Sequence, residues 1–256
     1  MGYWKNTRDF PTACEALALK LIEAAECKEG GNVLEVGHGC GDSLLLHLEH
    51  PSVPRPTRLV GITSQHKHYL RSLKRTNQRN PNSVDVRLAE GDAIYRTPFH
   101  ADQQSPFPHP LDTKHSKNTY DSVLALDCAY HFDTRRLFLE QAHICLAAGR
   151  RIALGDLCFL PGSLSLATRF LVALTGSIPR KNIITTEEYI AILRDIGYVD
   201  VKMEDITSDV FPGFIGFLKG RGFAFNVVAS QFERLVSHGM RFVIVSAAKS
   251  SSDAST

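Results

Sequence analysis

The strongest chemical signal in the chain is carried by Glu35, Gly37, Gly39 and Gly41, in the run Asn32 to Ser43, NVLEVGHGCGDS. Glycine reaches positive φ and has no side chain, so such a turn lets a nucleotide-like ligand lie on bare backbone. The N–H groups that open the next helix then face it. A dinucleotide site would need G-x-G-x-x-G, whose third glycine falls where Asp42 stands, so the spacing argues against a pyrophosphate. Two further groups could handle a proton. His131 lies in the run Asp127-Cys128-Ala129-Tyr130-His131-Phe132, and Asp156 follows Gly155.

The elements around these residues alternate between strand and helix. Val33, Leu34 and Val36 form a buried strand and Ser43 to Leu48 turns apolar at helical density. Arg58 to Thr63 (RLVGIT) is a second strand, with Thr63, Ser64 and Gln65 where many nucleotide folds carry an acid for the ribose. A helix from His66 to Asn77 gives way to the alternating Val84, Val86 and Leu88, and then to Glu90-Gly91-Asp92-Ala93. Asp92 suits either a ligand contact or a helix N-cap. Asp121 to Leu126 and Arg151 to Leu154 are the fourth and fifth strands, separated by a helix from Thr134 to Ala148 that Gly149 closes. In this α/β pattern functional groups gather at the carboxyl ends of strands, so His131 and Asp156 fall on one rim.

The remaining segments surround that rim. Thr12 and Glu15 read as a capping box for a helix from Ala13 to about Cys27, and Thr185 and Glu188 as another, for a helix ended by Gly197. Arg96 to Tyr120 reads as an inserted surface loop with solvated histidines (His100, His109, His115). Pro161 to Gly176 is apolar enough to be a lid, and Phe211 to Phe225 is aromatic and glycine-rich. Val199, Val201 and Met203 alternate as a strand, Phe242 to Val245 is a last buried strand, and the tail from Ser250 reads as disordered.

Composition narrows the partners. With 256 residues, 43% hydrophobic, the chain can build one sizeable core. The formal charge of +2 and the lack of a long basic tract argue against nucleic acid. Six scattered cysteines without C-x-x-C point to reduced thiols, and eleven histidines lack metal spacing, so no metal is expected. No signal peptide or membrane span is evident, which makes the cytoplasm the expected compartment.

Taken in order, the motifs resemble those of class I S-adenosylmethionine-dependent methyltransferases. Glu35, Gly37, Gly39 and Gly41 write their first motif, (D/E)-x-G-x-G-x-G. Gly2-Tyr3-Trp4, Gly61-Ile62-Thr63, Gly91-Asp92-Ala93, Leu126-Asp127 with His131-Phe132, and Ala153 to Asp156 are similar to landmarks of one branch. That branch holds the tocopherol and sterol methyltransferases and the rebeccamycin sugar O-methyltransferase. The resemblance implies a Rossmann-like α/β fold with a seven-stranded, mostly parallel sheet, helices on both faces and a helical lid. One domain is expected over 1–249, with lid elements at about 1–12 and 161–184.

S-adenosylmethionine is the implied cofactor, held by Glu35, the three glycines, Thr63, Gln65, Asp92, Ala93 and Asp127. Tyr3 or Trp4 would cover it, since a sulfonium over an aromatic face gains roughly 0.5–2 kcal/mol. The resemblance also makes His131 and Asp156 the pair that deprotonates an acceptor hydroxyl, with Asp156 fixing the imidazole tautomer. The expected activity is O-methylation of a largely apolar small-molecule acceptor. Two alternatives stay open: C-methylation of an isoprenoid or sterol-like substrate, and a non-catalytic scaffold that binds the cofactor. A second copy of the chain is a further partner left open.

Overall fold

The structure is a computed structural model that describes residues 1–81, 84–96, 107–174, 176 and 178–252. Its strands are β1 (Asn32–Val36), β2 (Arg58–Thr63), β3 (Asp85–Glu90), β4 (Tyr120–Leu126), β5 (Leu146–Phe159), β6 (Tyr198–Asp205) and β7 (Met240–Lys249). The helices are α1 (Phe10–Ala24), α2 (Asp42–Glu49), α3 (His66–Gln78), α4 (Arg135–Cys145), α5 (Leu166–Leu174), α6 (Thr186–Ile196), α7 (Thr207–Lys219) and α8 (Phe223–Ser237). The sheet order is β3-β2-β1-β4-β5-β7-β6, parallel from β3 through β5, with β7 antiparallel to both β5 and β6. This is the expected seven-stranded, mostly parallel sheet.

Strand periodicity divides the core into two layers. On β4, Leu124 packs with the α1 and α2 side (Leu17, Leu44, Leu48), whereas Val123 and Ala125 pack with the α4 and α6 side (Phe138, Leu139, Leu193). On β5, Ala153 and Leu157 take the first side and Ile152 and Leu154 the second. Successive side chains point to opposite faces, and helices cover both, so the central strands are mostly apolar.

Several boundaries differ from the sequence reading. Helix α1 starts at Phe10, capped by Asp9, whose carboxylate accepts the Thr12 N–H at 3.0 Å, so Thr12 is capped and does not cap. Pro11 fits this first turn because its N–H would have had no intrahelical partner. Gly149 closes no helix. Leu146, wholly buried, leaves α4 in an extended conformation and enters β5 directly, where it pairs with Tyr120. The Thr185/Glu188 box and the left-handed Gly197 cap of α6 are as expected.

Within the expected surface loop, residues 97–106, with His100, lie outside the described residues, as do 253–256 of the expected tail. The part beyond them is not solvated throughout. His109 is 5% exposed, and its ring contacts the Asp92 carbonyl and accepts the Leu111 N–H. It pins the loop beneath β3. Among the described residues no helix is long and apolar enough to cross a membrane.

Candidate active site

The carboxyl end of β1 opens a cleft of about 760 Å³ between the glycine turn, α1 and α2. Glu35, Gly37, Gly39, Asp127, Met1 and Phe10 are among the residues that line it. The turn is made by successive positive φ values, +76° at Gly37, +55° at Gly39 and +82° at Gly41. A Cβ on Gly37 would stand 2.6 Å from Cys128 Sγ and one on Gly41 2.9 Å from Ser72 Cβ, so packing requires both glycines. A Cβ on Gly39 would meet nothing within 4 Å, which leaves its backbone open to a ligand. Gly41 caps α2 without any side-chain bond, so the N–H groups opening that helix are not taken by a cap.

Arg75 fixes the turn from the side. Its guanidinium donates to the Cys40 carbonyl at 2.9 Å and to the Asp42 carboxylate at 2.6 Å. His38, buried against Gly61, is held neutral, since burial lowers its pKa to about 4. Asp127, at φ +56°, accepts the Tyr130 hydroxyl at 2.9 Å on Oδ1 and meets the Met1 ammonium on Oδ2. A carboxylate in the cleft thus already accepts an ammonium.

Glu35 is wholly buried, with Ser43 Oγ on Oε1 and no partner on Oε2. Burial lifts its pKa from the usual carboxylate range to about 7, against the pull of the Ser43 bond. A cationic ligand in the cleft would favour the ionised form and lower that pKa. Binding of such a ligand at pH 7 is therefore expected to release a fraction of a proton, and the release should vanish well above pH 7, where Glu35 is already ionised. Calorimetry in buffers of different ionisation enthalpy reads this, and Glu35→Gln should abolish it.

The other expected cofactor contacts separate from this cleft. Thr63 is buried at the end of β2, and Gln65 is the exposed N-cap of α3 without a side-chain bond. Asp92 caps no helix among the described residues: Oδ1 accepts the Ile94 N–H at 3.0 Å, closing a local turn after β3, and Oδ2 pairs with Arg96. Ala93 packs in the core with Val36 and Ile62. Neither aromatic covers the cleft. Trp4 lies on α7, where a Cβ at Gly213 would fall 2.2 Å from the indole, and Tyr3 lies under Lys20 on the far face of α1. The bare surface of Gly213 offers the indole tighter packing than an open cleft edge does.

On the neighbouring rim, His131 ends a 3₁₀ turn, Ala129–His131. It is exposed, its ring centroid 4.1 Å from that of Tyr130. Asp156 does not fix its tautomer. The Asp156 carboxylate is fully buried and given over to Arg135 Nε at 2.8 Å, the Tyr189 hydroxyl at 2.8 Å and the Leu157 N–H at 2.9 Å. Burial raises its pKa above the usual range, opposed by Arg135. Arg135 itself is 2% exposed and lies over the Tyr189 ring at 4.7 Å. Sequence reasoning missed both partners, although Arg135 stands three and four residues before the core residues Phe138 and Leu139. Among the described residues no group of three or more His, Cys, Asp or Glu is placed to hold a metal.

Known proteins resemble the chain in sequence and in fold. The erythromycin 3''-O-methyltransferase of Saccharopolyspora erythraea is 30% identical over 225 residues, 85% of this chain and 67% of the relative. The O-methyltransferase resE of Aspergillus sclerotiorum is 25% identical, over 83% of this chain and 72% of the relative. Among solved structures, the geranyl diphosphate C-methyltransferase of Streptomyces coelicolor superposes with a TM-score of 0.71 at 16% identity, covering 93% of this chain and 80% of that one. At that identity it speaks for the fold alone. No family model matches the sequence.

Proposed function

Because the chain belongs to the class I S-adenosylmethionine-dependent methyltransferases acting on small molecules, we propose that it methylates a hydroxyl oxygen, with His131 as general base. The observation that carries this reading is the position of His131. The imidazole is exposed in the turn after β4, and Tyr130, whose ring lies against it at a tilt, is bonded to Asp127 in the cleft. Base and cofactor cleft thus share one rigid support.

Glu35, Gly37, Gly39, Gly41 and Asp127 would hold the cofactor. The partnerless Glu35 Oε2, the open face of Gly39, the uncapped start of α2 and the ammonium-accepting Asp127 all fit a ligand that carries a cation and a carboxylate. When bound, it supplies a methyl group made electrophilic by a sulfonium. His131 takes the hydroxyl proton of the acceptor at a ring nitrogen, so that a better oxygen nucleophile attacks. Orientation contributes as much as basicity, since transfer needs the reacting atoms close to 3 Å and aligned.

The acceptor is large and mostly apolar. Leu166 and Phe170 on α5, and Phe223 and Phe225 on α8, are exposed on helices that touch each other. The Saccharopolyspora erythraea relative is named for O-methylation of erythromycin. The test is methyl-labelled cofactor offered with hydroxylated macrolides, ansamycins, phenols and geranyl diphosphate, with the methylated atom found by mass spectrometry and NMR. An O-methyl product is expected. A product methylated at carbon, or none despite bound cofactor, would refute the reading.

A further inference from the structure

Both carbonyl groups that bracket His131 are held by one side chain. Nδ2 of Asn182 donates to the carbonyl oxygen of Tyr130 at 3.0 Å and to that of Phe132 at 2.6 Å. Asn182 is 2% exposed and lies in the 3₁₀ turn Arg180–Asn182, between α5 and α6. Its amide can sit only one way round. Oδ1 accepts the backbone N–H of Arg135 at 3.0 Å, so both amide hydrogens face the two carbonyls. The Asn182 carbonyl accepts a further bond from Arg135 Nη1 at 3.3 Å, while Nη2 donates to the Leu157 carbonyl at 2.9 Å. A chain of buried partners thus runs from the end of β5, through Arg135 and Asn182, to the backbone on either side of His131.

Such an anchor matters because a three-residue 3₁₀ turn has poor hydrogen-bond geometry and little order of its own. An exposed imidazole is not packed on every side, and an ångström of misplacement in a reacting group can cost about a hundredfold in rate. We propose that Asn182 is the positioning residue for His131, set in place by Arg135 and Asp156. The catalytic meaning of this role rests on the assignment of His131 as base. Asp156, on this account, serves the base at two removes, by fixing Arg135.

Asn182→Asp tests it with a side chain of the same shape. The carboxylate can still accept the Arg135 N–H, but it sets an oxygen against two carbonyl oxygens. In protein labelled at histidine, the His131 ring signal is identified by its loss in His131→Gln. That signal is expected to move or broaden in Asn182→Asp, while the Kd for S-adenosylhomocysteine stays within about twofold of the parent. With an acceptor from the panel above, kcat should fall about tenfold or more at unchanged KM for the cofactor. A His131 signal that does not move in folded Asn182→Asp overturns the proposal. If that variant fails to fold, Asn182→Ser is read in the same way, since its hydroxyl can meet Arg135 but cannot span both carbonyls. Full turnover in His131→Ala would instead remove the base assignment, and the ring signal would still decide the role of Asn182.

Discussion

His131→Ala is expected to lower methyl transfer to a hydroxyl acceptor by about a hundred- to ten-thousandfold, the usual contribution of a positioned general base. Cofactor affinity should change by less than about twofold, because His131 does not line the glycine cleft. The two measurements separate the base from the binding site: turnover by product mass, affinity by calorimetry. His131→Gln, which keeps a polar side chain without a base of suitable strength, should behave like alanine. Undiminished turnover in either variant would mean that the acceptor needs no base here, as expected for a carbon nucleophile.

The second large effect falls on stability. Arg135→Met should cost about 3–5 kcal/mol, because it leaves the Asp156 carboxylate buried without its cation. The sign with pH follows from linkage. Without Arg135 the folded pKa of Asp156 stands above its unfolded value, so the unfolded chain ionises first as pH rises. In the parent that pKa is already raised, and removing Arg135 raises it further, so the loss should be smallest at acid pH and should grow as pH climbs above the usual carboxylate range, between the parent's and the variant's folded pKa. Adding Asp156→Leu should recover most of it, since an apolar pair of similar bulk is often as stable as a buried ion pair. Urea unfolding at several pH values, with the slope checked for constancy, would measure the parent and both variants. A single variant as stable as the parent would mean that the guanidinium does not carry the charge of Asp156.

The pattern of residues announced the glycine turn and the parallel sheet because each is local. The turn needs three glycines at fixed spacing, and β1, β4 and β5 each carry a short apolar stretch, Val33-Leu34, Val123 to Leu126 and Ile152 to Leu154. The rim was legible only in part. His131 does follow β4, but Asp156 lies inside β5, which runs on to Phe159, and adjacency in a sheet does not say which partner a carboxylate takes. Arg135 competes for it from the first turn of α4, on the face shared with Phe138 and Leu139. That i, i+3, i+4 pattern was present in the sequence, but a charge on an apolar face usually belongs at its edge, so burial could not be read from it. Asn182 lies fifty residues from the carbonyls it holds. No local pattern reports such a contact. Trp4 failed for the opposite reason: it is apolar and must dock, but Gly213 and Phe217, two hundred residues on, decide where.

The antiparallel insertion of β7 between β5 and β6 governs how the molecule can be made. Until the ribosome has released Met240 to Lys249, β5 presents unpaired backbone N–H and C=O groups along the nine residues that later lie in register with β7. Over that interval the nascent chain carries an apolar, open flank of the kind that recruits other strands. Premature termination anywhere before Met240 would leave it permanently bare, so a truncated product of this gene should accumulate as aggregate, whereas changes in the tail beyond Lys249 should be tolerated.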